Sequence, residues 1–210
     1  MKENNPKPKL GTGPVTEAGA QLDRREAVKG ILGNASDLLF ITGIGSPKGD
    51  VTPLIGAEAP NLYPTGSMGC AAMVGLGLAL AQPARRVVVV TGDGELLMNM
   101  GSLATIGVMN PPNLAILVVD NEAYGETGFQ QTHTGRGVDL AKVAESCGFA
   151  NTRLVRQRSE LADAAKLIRQ SNGATLIVAK VAATKPKSDF RVRDGVWNKG
   201  RFREALLGRY

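Results

Sequence analysis

Arg86-Val87-Val88-Val89-Val90-Thr91-Gly92-Asp93-Gly94-Glu95 is the stretch that decides the fold. Its first half is a continuous β-branched run. A strand with one wet face would alternate apolar and polar residues; an unbroken run predicts a strand covered on both faces, as in a parallel sheet. Its second half turns on glycines around a carboxylate, where a strand hands over to a helix.

Working outward, the same pattern recurs. Asn113–Val119 and Thr175–Val181 are further buried strands, and Asp37–Ile41 is a short apolar run that breaks at Thr42-Gly43-Ile44-Gly45. Helical patterns lie between them. Asp23 caps a helix over Arg24–Leu32, with Glu26 placed as in a capping box and Gly33-Asn34 ending it. Ser67–Gln82 reads as a buried helix dense in Ala and Gly, and Leu96–Met109 has helical periodicity. Asp139–Cys147 and Ser159–Gln170 read as amphipathic helices, and Gly200–Leu207 as a short terminal one. Alternating strands and helices predict the α/β class, a doubly wound parallel sheet with helices on both faces. Ligands of such sheets sit beyond the carboxyl ends of the strands.

The 210 residues, 43% hydrophobic and 21% charged, suit one domain with a real core. We divide them into an N-terminal arm over 1–20, a domain over 21–184 and a basic extension over 185–210. There is no internal repeat. Cys70 and Cys147 are too few for a disulfide framework and too far apart for a metal pair. No apolar leader precedes the body, and the longest apolar run, 68–81, is shorter than the ~20 residues that span a bilayer. A reducing, cytoplasmic setting away from the membrane is the expectation.

The net charge of +6 suggests a nucleic-acid footprint until it is located. Residues 1–9 carry +2, residues 185–210 carry +5, and the body between them carries −1. Phe190, Trp197, Phe202 and Tyr210 interleave with the basic residues of the tail and could stack bases. Arg and aromatics equally suit an arm docked on a partner protein, which is the reading preferred.

In the loop after the central strand, Gly92-Asp93-Gly94-Glu95, glycine lets a ligand approach the backbone and the helix start offers free N–H groups to a phosphate. A carboxylate there repels phosphate unless a divalent cation lies between them, so Asp93 suggests a diphosphate–Mg²⁺ site; the plainer alternative is a helix cap. The next strand ends in Asp120-Asn121-Glu122-Ala123-Tyr124-Gly125. Asn121, 28 residues after Asp93 and one βαβ crossover away, offers a neutral oxygen to the same rim, or serves only as a turn residue.

Gly92-Asp93-Gly94 with Asn121 at this spacing resembles the cofactor motif of the thiamin diphosphate decarboxylase and acetolactate synthase superfamily. The family often has Asn-Asn where this chain has Asp120-Asn121. The resemblance implies that Asp93 and Asn121 bind Mg²⁺ by side chain and Ala123 by its carbonyl. It implies that the N–H groups of Gly94 and Glu95 meet the diphosphate, with Tyr124 and Gly125 in the same cofactor-binding loop. Gly66-Ser67-Met68-Gly69, whose first three residues lie 25 to 27 before Asp93, fits a second family segment. There Met68 would prop the cofactor in its bent conformation and the carbonyl of Gly66 would accept from its aminopyrimidine. Gly43 and Ile44 would face the diphosphate.

The resemblance covers roughly Asp23 to Val181 but only the pyrophosphate-binding (PP) half of such an enzyme. It implies a separate pyrimidine-binding (Pyr) subunit that supplies a catalytic Glu. The run Asp120–Gly128 followed by Gln130 is similar to the β subunit of sulfopyruvate decarboxylases and to phosphonopyruvate decarboxylases. That implies decarboxylation of a small anionic 2-oxo acid, with the cofactor as electron sink. His133, the only histidine, could hold the substrate anion or relay a proton, and Arg136 is a second anion candidate. The tail segment 189–200 departs from sulfopyruvate decarboxylases. Alternatives are a split-subunit carboligase or C–C lyase on another substrate, for example an aryl one, a nucleic-acid module, and a non-catalytic regulatory subunit. A nicotinamide enzyme is disfavoured because Gly43–Lys48 lacks the third glycine and Pro47 interrupts the expected helix.

Overall fold

A computed structural model describes residues 21–170, 172–184 and 194–208. Six parallel strands form one sheet in the order β2-β1-β3-β4-β8-β7. The strands are β1 (Leu39–Thr42), β2 (Leu62–Pro64), β3 (Val87–Gly92), β4 (Leu114–Asp120), β7 (Asn151–Val155) and β8 (Thr175–Lys180), and a separate two-stranded hairpin pairs β5 (Ala123–Tyr124) with β6 (Gln130–Gln131). The central strands β1, β3 and β4 are buried along almost their whole length, as their unbroken apolar runs require.

Two apolar layers form on the two faces. One packs α1 (Arg24–Leu32), α2 (Ser46–Ile55) and α7 (Leu161–Gln170) against Phe40, Val88, Val90 and Leu117. The other packs α3 (Ala71–Ala81), α5 (Ser102–Met109), α6 (Leu140–Ser146) and α8 (Gly195–Leu207) against Ile41, Val87, Val89 and Ile116. Each fully buried Val or Leu is worth roughly 1.5–3 kcal/mol, so this alternation holds the doubly wound sheet together. α3 lies directly on β3: a β-carbon on Gly75 would stand 2.1 Å from Val89 Cγ2.

The elements differ from expectation in specific ways. The helix expected from Ser67 begins at Ala71, because 65–69 form a loop stitched at its start by the Thr65 N–H to the Thr42 carbonyl. The helix expected over Leu96–Met109 is two, α4 (Asp93–Leu97) and α5, with a turn at Met98–Gly101. A helix does follow Pro47. α2 starts at Ser46, and Pro47 falls in its first turn, where a missing N–H costs nothing. α7 is preceded by a 3-10 turn at Arg158–Glu160, and α8 starts five residues earlier than expected. In α1, Asp23 caps Glu26 N at 2.9 Å, but the Glu26 carboxylate turns away to Arg158.

The described part of the basic extension, 194–208, is seated on this chain. Phe202 is buried with its ring 5.5 Å from Tyr63. Arg201 stacks 4.5 Å over Trp197 and donates to the Leu62 carbonyl. The arm over 1–20 and the tail over 185–193 lie outside the described residues. Among the described residues no helix is long and apolar enough to cross a membrane.

Candidate functional site

The carboxyl ends of β1, β3 and β4 open on a cleft of about 330 Å³. Ile44 and the first turn of α2 line it on one side, Gly92–Glu95 form its base, and Asn121 with Ala123–Thr127 closes the other side. It is the crevice at which a doubly wound sheet binds ligands.

Asp93 is the first residue of α4 and is 1% exposed. Its Oδ2 accepts from the Thr132 hydroxyl at 2.6 Å and the Thr134 hydroxyl at 3.2 Å. Burial and the neighbouring Asp120 carboxylate push the Asp93 carboxyl up to about 6, against the pull of those hydroxyls. Its Oδ1 faces Asn121. With its amide nitrogen inward, Asn121 donates to Asp93 Oδ1 at 3.1 Å and to the Ala123 carbonyl at 2.9 Å. Turned over, the amide brings oxygen to the same point, and oxygens from three residues converge. One carboxylate, one amide and one carbonyl are the donor mix that Mg²⁺ or Ca²⁺ takes. No cluster of three His, Cys, Asp or Glu side chains suited to a metal exists among the described residues, so this mixed set is the cation candidate.

Glu95 is 4% exposed. Its carboxylate accepts from Thr91 Oγ1 at 2.5 Å and from Ala71 N at 3.2 Å, so it ties β3 to the start of α3. Burial pushes its carboxyl up, opposed by those two donors. Gly94 lies under the Tyr124 ring, where a β-carbon would come within 2.6 Å of the ring. Its N–H, in the first turn of α4, has no helical partner by geometry and can face a ligand.

Met68 lines the cleft and is 40% exposed, so core packing does not account for it. Its loop is held by Asn99, which donates to the Gly69 carbonyl at 3.0 Å. Of the expected cofactor residues, Ile44, Met68, Asp93, Gly94, Glu95, Asn121, Ala123, Tyr124 and Gly125 line the cleft. Gly43, Gly66 and Ser67 do not; Gly43 sits behind it, against Glu95. His133 and Arg136 are exposed, on a 3-10 turn over His133–Arg136, and do not line the cleft either.

Thr132, Thr134, Asp120 and Lys180 are additions that sequence reasoning missed. Thr134 Oγ1 lies 2.8 Å from Asp120 Oδ1, and Lys180 Nζ bridges Asp120 Oδ2 at 2.8 Å and Glu122 Oε1 at 2.7 Å. Asp120 and Lys180 could have been suspected from their register, since they are paired neighbours at the ends of β4 and β8.

Residues 43–179 match the thiamine pyrophosphate enzyme family in its C-terminal TPP binding domain. The chain is 37% identical over 184 residues to the sulfopyruvate decarboxylase subunit beta of Methanocaldococcus jannaschii, covering 87% of this chain and 96% of that one. It is 45% identical over 117 residues to the phosphonopyruvate decarboxylase of Streptomyces viridochromogenes, covering 56% of this chain and 29% of that one. A solved structure from Mycobacterium smegmatis, described as a thiamin diphosphate-dependent enzyme, superposes with a TM-score of 0.66 at 20% identity, over 79% of this chain and 32% of that one. This last likeness is one of fold.

Proposed function

Because the chain belongs to the thiamine pyrophosphate enzyme family, we propose that it is the PP (β) subunit of a thiamin diphosphate- and Mg²⁺-dependent 2-oxo acid decarboxylase of sulfopyruvate or phosphonopyruvate type. It works in the cytoplasm with a separate Pyr subunit that contributes the catalytic Glu. The observation that carries the reading is the convergence of Asp93, Asn121 and Ala123 at 2.9–3.1 Å on the rim of the cleft.

In this reading the Asp93 carboxylate, the Asn121 amide oxygen and the Ala123 carbonyl hold Mg²⁺. The N–H groups of Gly94 and Glu95, with Ile44 and the first turn of α2, hold the diphosphate, and Gly43 backs them from outside the cleft. When bound, the cofactor supplies a nucleophilic carbon and an electron sink for loss of CO₂. Met68 shapes the apolar wall on which the cofactor rests, and Gly66-Ser67, outside the cleft lining, carry it there. Tyr124 and Gly125 wall the opposite side and keep water out.

Arg24 is the one cationic side chain among the described residues that line the cleft, and its guanidinium is engaged by both Asp50 oxygens at 2.6–3.0 Å. The second acidic group of the substrate therefore meets a partner from beyond these walls: a cation of the partner subunit, or Arg136 with the His133 imidazole as a hydrogen-bond donor on the exposed turn.

The test is to purify the full-length chain with its partner subunit and assay CO₂ and aldehyde from a panel of 2-oxo acids. Chelation should abolish activity and Mg²⁺ restore it, and Asp93→Asn should lose cofactor binding. Full activity of Asp93→Asn would overturn the site. Coupled products without free aldehyde would favour a carboligase.

A further inference from the structure

Asp93 is held from behind by a chain of buried polar groups. Thr132 and Thr134 are 1% and 6% exposed, and both hydroxyls address Oδ2, leaving Oδ1 to Asn121. The two hydroxyl oxygens are 3.0 Å apart. Thr134 also reaches Asp120 Oδ1 at 2.8 Å. A hydroxyl has one proton, so Thr134 serves one carboxylate at a time. Asp120 has other donors: the Glu122 N–H at 3.0 Å on Oδ1 and Lys180 Nζ at 2.8 Å on Oδ2. The Thr134 proton is therefore available to Asp93. The Thr132 N–H binds the Glu122 carbonyl at 2.9 Å, which fixes this segment to the loop that carries Asn121 and Ala123.

We propose that Thr132 and Thr134, anchored by the Lys180–Asp120 pair, are positioning residues that fix the Asp93 carboxylate so that a single oxygen meets the divalent cation. Mere stitching of the hairpin to the sheet would not need both hydroxyls on the same carboxylate oxygen. Groups that hold a metal ligand from behind typically matter about 10–100-fold in metal affinity. The proposal rests on the reading of Asp93 as a cation ligand, and the experiment separates the two.

The probe is Mn²⁺, followed by electron paramagnetic resonance in the full-length chain purified with its partner subunit, with thiamin diphosphate present. Thr134→Val should weaken Mn²⁺ binding about tenfold, and Thr134→Ser should restore it. KM for the 2-oxo acid should stay unchanged when Mn²⁺ is saturating. If Thr134→Val does not fold, Lys180→Gln at the outer end of the chain should weaken Mn²⁺ several-fold. Wild-type Mn²⁺ affinity in Thr134→Val, or in Lys180→Gln where that variant stands in, overturns this inference while Asp93→Asn still loses Mn²⁺. Wild-type affinity in Asp93→Asn itself overturns the underlying site.

Discussion

A β-carbon on Gly43 would stand 1.6 Å from Glu95 Oε2 and 3.0 Å from Thr91 Oγ1. The end of β1 and the buried carboxylate of α4 thus share one space, which only glycine leaves open. Gly43→Ala should destabilise the chain by about 1–3 kcal/mol through overpacking. Glu95→Ala removes the obstacle but leaves the Thr91 hydroxyl and the Ala71 N–H without their acceptor. The double variant should recover part of the Gly43→Ala cost, giving a coupling of about 0.5–3 kcal/mol in a denaturant-unfolding cycle. Strict additivity would show that the loop opens instead.

Arg24 and Asp50 form a buried pair with three contacts of 2.6–3.0 Å, and their side chains are 5% and 0% exposed. Removing one partner strands the other charge away from water. Asp50→Ala should cost about 3–5 kcal/mol, while the double change to apolar residues of similar volume should cost far less. Urea midpoints of the two single variants and the double variant check this.

Much of this architecture was legible because strands buried on both faces need an apolar residue at every position, as in Val87–Val90 and Leu114–Val119. β2 and β7 were not legible. They are edge strands, and Asn-Thr-Arg-Leu-Val of β7 is only partly buried, so its pattern resembles a loop. Spacing brings Asp93 and Asn121 to one rim, because one crossover fixes both to neighbouring strand ends. Thr132 and Thr134 reach Asp93 only through the β5–β6 hairpin. That hairpin turns over 125–129, with Gly128 and Phe129 at φ of 121° and 59°, and Glu122 just ahead of β5 is at 58°; at Glu122 and Phe129 a left-handed position carries no glycine to mark it. The split between α4 and α5 was hidden because both pieces keep apolar residues at helical spacing.

The Glu160 carboxylate accepts from the N–H groups of Arg156 at 2.7 Å and Gln157 at 2.9 Å, closing a capping box ahead of α7. These bonds hold its carboxyl below the usual value for glutamate. With the folded value depressed, the contribution to stability is present above the unfolded value of 4.5 and is lost as pH falls through the folded value. Glu160→Gln should cost about 0.5–1 kcal/mol at pH 7, the scale of a helix cap. The gap between wild type and variant should close on acidification below the unfolded value. Melting curves of both proteins at a series of pH values measure it, and a gap independent of pH would show that the amide substitutes fully for the carboxylate.

Met68 stands at the mouth of the cleft on a loop pinned by Asn99 at Gly69 and by Glu95 at Ala71. At 40% exposure it gives little to the core, so Met68→Ala should leave stability within about 0.5 kcal/mol of wild type. Its proposed task is to set the posture of the cofactor, and there a small displacement costs rate: turnover of the 2-oxo acid should fall about 10–100-fold. Met68→Leu, which keeps the bulk, should retain most of the activity. The decisive comparison is turnover against unfolding midpoint for the three proteins. A loss of both together in Met68→Ala would mean that the side chain supports the fold, and a loss of neither would remove it from the site.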